Sequence, residues 1–89
     1  MAITVARQRI DRWLWHARLV RTRGAAAALA GGGFVRVNGA RIAAPGRMVR
    51  TGDVITVALD HGVRVVKVIG FVERRGPAGT AAALYEDLQ

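Results

Sequence analysis

A change of period at Gly31-Gly32-Gly33 constrains this chain most. Before the three glycines the apolar residues recur at helical spacing, and after them they alternate. Ile10, Trp13, Leu14 and Ala17 fall at i, i+3, i+4 and i+7, which is one stripe of a helix over about residues 9–17. Asp11 near its start suits the positive end of the helix dipole. Arg9, Arg12 and His16 lie on one flank of the stripe, and Arg18 lies on the other. After a short link, Thr22 is suited to accept a bond from an early amide of a second helix. The alanine-rich stretch from Gly24 to Ala30 continues that helix. The glycines stop it near residue 31, because glycine accepts the left-handed conformation at a helix end. So short a link makes the two helices packed neighbours.

The remainder reads as strands. Phe34 to Val37 alternates, and Asn38-Gly39 fits a two-residue hairpin turn whose central positions both need positive φ. Residues 40–43 form the returning strand, and Pro45-Gly46 breaks the chain. Met48-Val49 leads to a turn at Gly52-Asp53, followed by a strand over 54–59. A long β-branched strand is predicted over 63–72, with Gly70 marking a bulge or bend. Gly76-Pro77 ends regular structure, and residues 80–88 are expected as a short helix or a loosely attached tail. The 89 residues are read as one domain spanning 1–89, with a core motif at about 9–58 and further strands and the tail at 59–89.

Charge then narrows the function. Residues 1–50 carry ten arginines against one acid, Asp11, while residues 51–89 carry four basic and five acidic groups. The whole net charge of +8 therefore comes from the first half, as expected of a footprint for a polyanion. Arg18, Arg21 and Arg23 surround the start of the second helix, where backbone amides attract phosphate and guanidinium groups add bidentate contacts. Arg36 and Arg41 extend the basic surface onto the first hairpin. Asn38 shares a strand face with Arg36, although turn chemistry is its main expected role. Trp13 is assigned to the core. Trp15 lies off the stripe and either packs or stacks on a base. Asp11 is expected to orient an arginine or cap the helix.

Catalysis is not expected. Serine and cysteine are both absent, which removes the usual nucleophiles and any thiolate metal site. His16 and His61 lack metal-ligand spacing. Gly31-Gly32-Gly33 lacks the preceding strand, following helix and Lys-Ser/Thr of a phosphate-binding loop. No cofactor and no metal are expected. Residues 1–9 lack the apolar run of a secretory signal, and no stretch approaches the ~20 apolar residues of a membrane span. A cytoplasmic protein without a membrane partner is expected, and nothing in the sequence demands more than a monomer.

Several motifs in order resemble the S4 RNA-binding domain. They are Arg9-Ile10-Asp11-Arg12-Trp13-Leu14-Trp15, then Arg21-Thr22-Arg23 with Ala26, Leu29 and Gly33, then Val35-Arg36-Val37-Asn38-Gly39, Pro45 and Gly52-Asp53-Val54-Ile55. The paired tryptophans and the stretches 73–78 and 83–86 further resemble the ribosome-associated heat-shock protein 15 family. The resemblance implies an α+β fold, with two N-terminal helices packed on a small, curved, mainly antiparallel sheet. It implies an RNA surface that includes Arg9, Arg21, Thr22, Arg23, Arg36, Asn38 and Arg41. It implies structured ribosomal RNA as the partner, on a free large ribosomal subunit carrying a stalled nascent chain that the protein helps to recycle. Members of the family continue beyond the point matching Gln89 into a long basic extension, and Phe34 stands where a basic residue is common. Two other readings fit the basic face. One is an accessory module of an RNA-modifying system, since related modules precede pseudouridine synthase domains. The other is a protein-interaction module that uses a strand edge.

Overall fold

The computed structural model describes residues 7–89. Helix α1 (Ile10–His16) presents its predicted stripe inward, and Ile10, Trp13 and Leu14 are fully buried. Its end is a left-handed turn at Arg18, where φ is 58°. There the Leu19 amide donates to the Leu14 carbonyl and the Arg18 amide to that of Trp15, both at 3.1 Å, which closes the helix by the Schellman motif usually built on glycine. Buried Leu19 and Val20 then carry the chain across to α2 (Arg23–Gly31). Thr22 caps α2 as its sequence position predicts, its hydroxyl oxygen accepting the Ala25 amide at 3.0 Å. Thr22→Ala is therefore expected to cost about 1 kcal/mol of stability, readable as a lower urea midpoint with an unchanged denaturant slope.

The sheet order is β3-β2-β5-β6-β7, from β2 (Val35–Val37), β3 (Ala40–Arg41), β5 (Val54–Leu59), β6 (Gly62–Val68) and β7 (Tyr85–Asp87), and every pairing is antiparallel. A separate ladder joins β1 (Arg7–Arg9) to β4 (Met48–Arg50). Val35, Val37, Ile55, Val57, Val66 and Val68 point inward from alternate strand positions and meet α1 and the buried alanines Ala26 and Ala30 of α2. The small residues of α2 let α1 and α2 pack closely against each other. Asn38 and Gly39 hold φ of 52° and 84°, the twin positive values that the hairpin signal implies.

Four elements differ from the sequence reading. Strands β1 and β4 are three residues each, too short for alternation to reveal. They form because Gln8 and Val49 are both buried between neighbouring elements. The strand predicted over 63–72 ends at Val68. From there the chain turns back over α1, and four of its carbonyls accept side-chain donors from β1, α1 and the α1 cap. Gly70 accepts from Trp13, Val72 from Gln8, Glu73 from Arg12 and Gly76 from Arg18. The predicted terminal helix or tail is instead α3 (Ala78–Ala81), a 3-10 turn at Ala82–Leu84 and β7, whose Asp87 carboxylate accepts a 2.6 Å bond from Arg64. The alanines keep helical backbone, and the chain leaves it at Tyr85 to pair with β6.

Candidate nucleic-acid interface

Arg18, one residue past the cap of α1, and Arg23, the first residue of α2, are five positions apart, so Arg18, Arg21 and Arg23 are forced into one neighbourhood. All three are exposed. Arg12, Arg18 and Arg23 line one open groove of about 490 Å³ together with Trp15, His16, Glu73, Arg74 and Arg75. Arg21 lies on the other side of Arg18, over a hollow of about 770 Å³ that reaches Leu59, Asp60 and His61 on the β5–β6 turn. Among the described residues the ion pairs are Arg9–Asp11 and Arg64–Asp87, so none of the arginines around the start of α2 is neutralised by a carboxylate.

Other predicted site residues sit elsewhere. Arg9 donates twice to buried Asp11, at 3.1 and 3.0 Å, and its guanidinium lies close to Gly46. Its side chain keeps 49% exposure, so Asp11 aims it without removing it from the surface. Arg36 and Arg41 are direct cross-strand partners, both exposed. Like charges placed opposite each other in a ladder repel, and here they flank a hollow with Gly33, Thr56 and Phe34, the last 55% exposed. Arg41 packs beside Gly33, at the C-terminal end of α2. The nine-residue helix, about 14 Å long, therefore separates this pair from the groove at its N-terminus. Asn38 is engaged internally: its Oδ1 accepts the Val54 amide at 2.8 Å and its Nδ2 donates to Asp53 at 3.1 Å. Thr22 likewise serves as the cap.

Three basic residues of the groove, Arg74, Arg75 and His16, lie outside the set that sequence reasoning marks. Arg74 and Arg75 come from the segment that folds back over α1, and no local pattern places them there. Arg75 donates to the Trp15 carbonyl at 3.0 Å and lies 5.5 Å from the centroid of its ring, which gives Trp15 a cation–π partner. His16 is the third. It is 1% exposed, and its Nδ1 has no hydrogen-bond partner among the described residues. Burial lowers its pKa from the ordinary 6.5, Arg12 lowers it further, the Val72 backbone opposes them in part, and Arg23 and Arg75 add smaller downward pulls. A base with a depressed folded pKa binds protons more readily in the unfolded chain. Its contribution to stability is thus complete above pH 6.5 and is lost as pH falls below that value. Thermal melts between about pH 8 and about pH 5 should show a falling Tm that His16→Gln flattens.

No helix among the described residues is long and apolar enough to cross a membrane, and no group of three or more metal-ligating side chains clusters there.

Comparison with known proteins agrees with this architecture. The S4 domain model matches residues 8–55, which span β1 to the start of β5. Heat shock protein 15 of Escherichia coli K12 is 39% identical over 79 residues, covering 89% of this chain and 59% of that protein. A heat shock protein 15 homolog from Aeromonas salmonicida is 39% identical over 88 residues, covering 99% of this chain and 66% of its own length. The chain thus spans three-fifths to two-thirds of these relatives. A trimeric structure of heat shock protein 15 from Vibrio cholerae superposes with a TM-score of 0.84 at 34% identity, over 91% of this chain and 81% of the other. By the family match over residues 8–55, the identity to these relatives and the superposition on the Vibrio structure, the chain belongs to the S4 domain family and, within it, to the heat shock protein 15 group.

Proposed function

We propose that this protein is a non-catalytic RNA-binding protein. It recognises structured ribosomal RNA and joins the large ribosomal subunit in the cytoplasm during rescue or recycling of stalled ribosomes. The observation that carries the reading is the gathering of Arg12, Arg18, Arg23 and their neighbour Arg21 around the start of α2 with no carboxylate paired to any of them. Four unneutralised guanidinium groups beside the amide end of a helix repel one another until phosphates arrive. Arg9, held by Asp11, and the opposed pair Arg36 and Arg41 contact phosphates further along the same strand or helix of RNA. Thr22 and Asn38 act through position: one sets the amides of α2, and the other fixes the hairpin that carries Arg36 and Arg41. Recognition of this kind reads backbone geometry and shape more than base edges. It requires no cofactor and no metal.

All of these contacts lie within one chain, so one copy per site is the proposed stoichiometry. The trimeric Vibrio relative is the alternative, and light scattering of the complex separates the two. The experiment that tests the function is a sucrose-gradient profile of the tagged protein with and without induced ribosome stalling. The protein should co-sediment with large subunits, more so after stalling. If it stays at the top of the gradient at low salt in both conditions, the ribosomal reading fails.

A further inference from the structure

Residues 73–76 lie outside the matched S4 region, yet they supply one wall of the groove at α2. They are held there by three guanidinium groups, each through a single bond to a backbone carbonyl. Arg12 Nη2 donates to Glu73 at 2.6 Å, Arg18 Nε to Gly76 at 2.8 Å and Arg75 Nε to Trp15 at 3.0 Å. A guanidinium carries five N–H donors, so most of the donors on each remain open to the groove or to solvent. The single bond also fixes each side chain in place, which lowers the entropy lost when a ligand arrives. Arg23 and Arg74 line the same groove and make no side-chain hydrogen bond to the described residues.

We propose that Arg74 and Arg75 join Arg12, Arg18, Arg23 and His16 in a pocket for one phosphate group. The proposal rests on the RNA reading for the source of that phosphate, which is the RNA backbone. Five guanidinium groups face one carboxylate, that of Glu73, and Glu73 forms no ion pair among the described residues. Donors arriving from several directions, from α1, from the first residue of α2 and from residues 74 and 75, suit a tetrahedral oxyanion better than a planar carboxylate, whose acceptor sites lie in one plane. The groove is open and shallow in outline, as a polymer backbone needs and an enclosed metabolite site is not. His16 is the one lining group that can change charge near neutral pH. The charged groups facing it are Arg12 on its own helix, Arg18 and Arg23 at the cap and start of the helices, and Glu73, Arg74 and Arg75 across the groove. A phosphate among these cations offsets their repulsion of the imidazolium, so the pKa of His16 rises toward its ordinary value when the site fills.

The test uses the full chain, with NMR signals of the His16 ring and the Arg75 Nε–H as reporters, titrated first with inorganic pyrophosphate and then with structured ribosomal RNA. Both ligands should move both reporters, and the His16 titration midpoint should rise by about one pH unit on saturation. Arg74→Gln, which removes no internal bond, should weaken RNA binding about five-fold and reduce the log–log salt slope by about 1. Reporters that stay still with both ligands while RNA binds normally would overturn the pocket and leave the RNA reading intact. Reporters that move with pyrophosphate and not with RNA would overturn the RNA backbone as the source. RNA that fails to bind at all, with the pyrophosphate response present, would count against the RNA reading and keep the anion site.

Discussion

Trp13→Ala is expected to lose about 3–5 kcal/mol of stability, a large part of the ~5–15 kcal/mol that holds a small domain folded. Trp13 is the largest fully buried side chain, at 0% exposure, in the centre of the inward face of α1. Truncation leaves a cavity among Ile10, Leu14 and the sheet valines that close-packed neighbours fill only in part. It also removes the indole donor from the Gly70 carbonyl, 3.1 Å away, one of the bonds that turn the chain back over α1. The loss should therefore reach the groove as well as the core. Urea unfolding followed by circular dichroism checks this, and Trp13→Phe should cost less because it keeps most of the volume. A cost under about 1 kcal/mol for the alanine variant would show that the helix is not the keystone of this core.

The opposite profile is expected of Arg21→Ala combined with Arg23→Ala. Both side chains are exposed and neither bonds to the described residues, so the melting temperature should stay within about 2 °C of the parent. Affinity for structured ribosomal RNA should fall about 30-fold, as two charge-assisted phosphate contacts of about 1 kcal/mol each are lost. Gel-shift titration at fixed salt reads this. A large loss of stability, or unchanged affinity, would reassign both residues to structure or to solubility.

Much of this fold is legible in residue spacing. The stripe Ile10, Trp13, Leu14, Ala17 marks α1 to within a residue, Thr22 marks the start of α2, and Asn38-Gly39 marks the hairpin tip. These signals are local, because helix period, capping and turn conformation are decided by residues a few positions apart. Strands β1, β4 and β7 are not local. Each is three residues long and exists only because a partner elsewhere in the chain satisfies its backbone. Arg18 at φ 58° was equally hidden, since nothing in its sequence marks an arginine for a left-handed cap.

The interface divides in the same way. Charge asymmetry and the helix start pointed to Arg18, Arg21 and Arg23, and the coordinates gather them with Arg12 around the groove and the adjoining hollow. The same reasoning treated Arg36 and Arg41 as part of one surface, whereas they flank a separate hollow at the far end of α2. Arg74 and Arg75 were out of reach of any spacing argument. Arg75 meets α1 from 60 positions away through the carbonyl and ring of Trp15, and Arg74 lines the same groove beside it. Asp11, expected to orient an arginine or cap the helix, holds Arg9.

The most direct test of the central claim, phosphate capture by arginines clustered at the helix start, is the salt dependence of binding to structured ribosomal RNA. Filter binding across a range of monovalent salt should give a linear fall of log affinity against log salt, with a slope of about −3 to −5 for ~4–6 neutralised phosphates. A response close to flat would contradict it, since binding without ion release cannot come from these guanidinium groups.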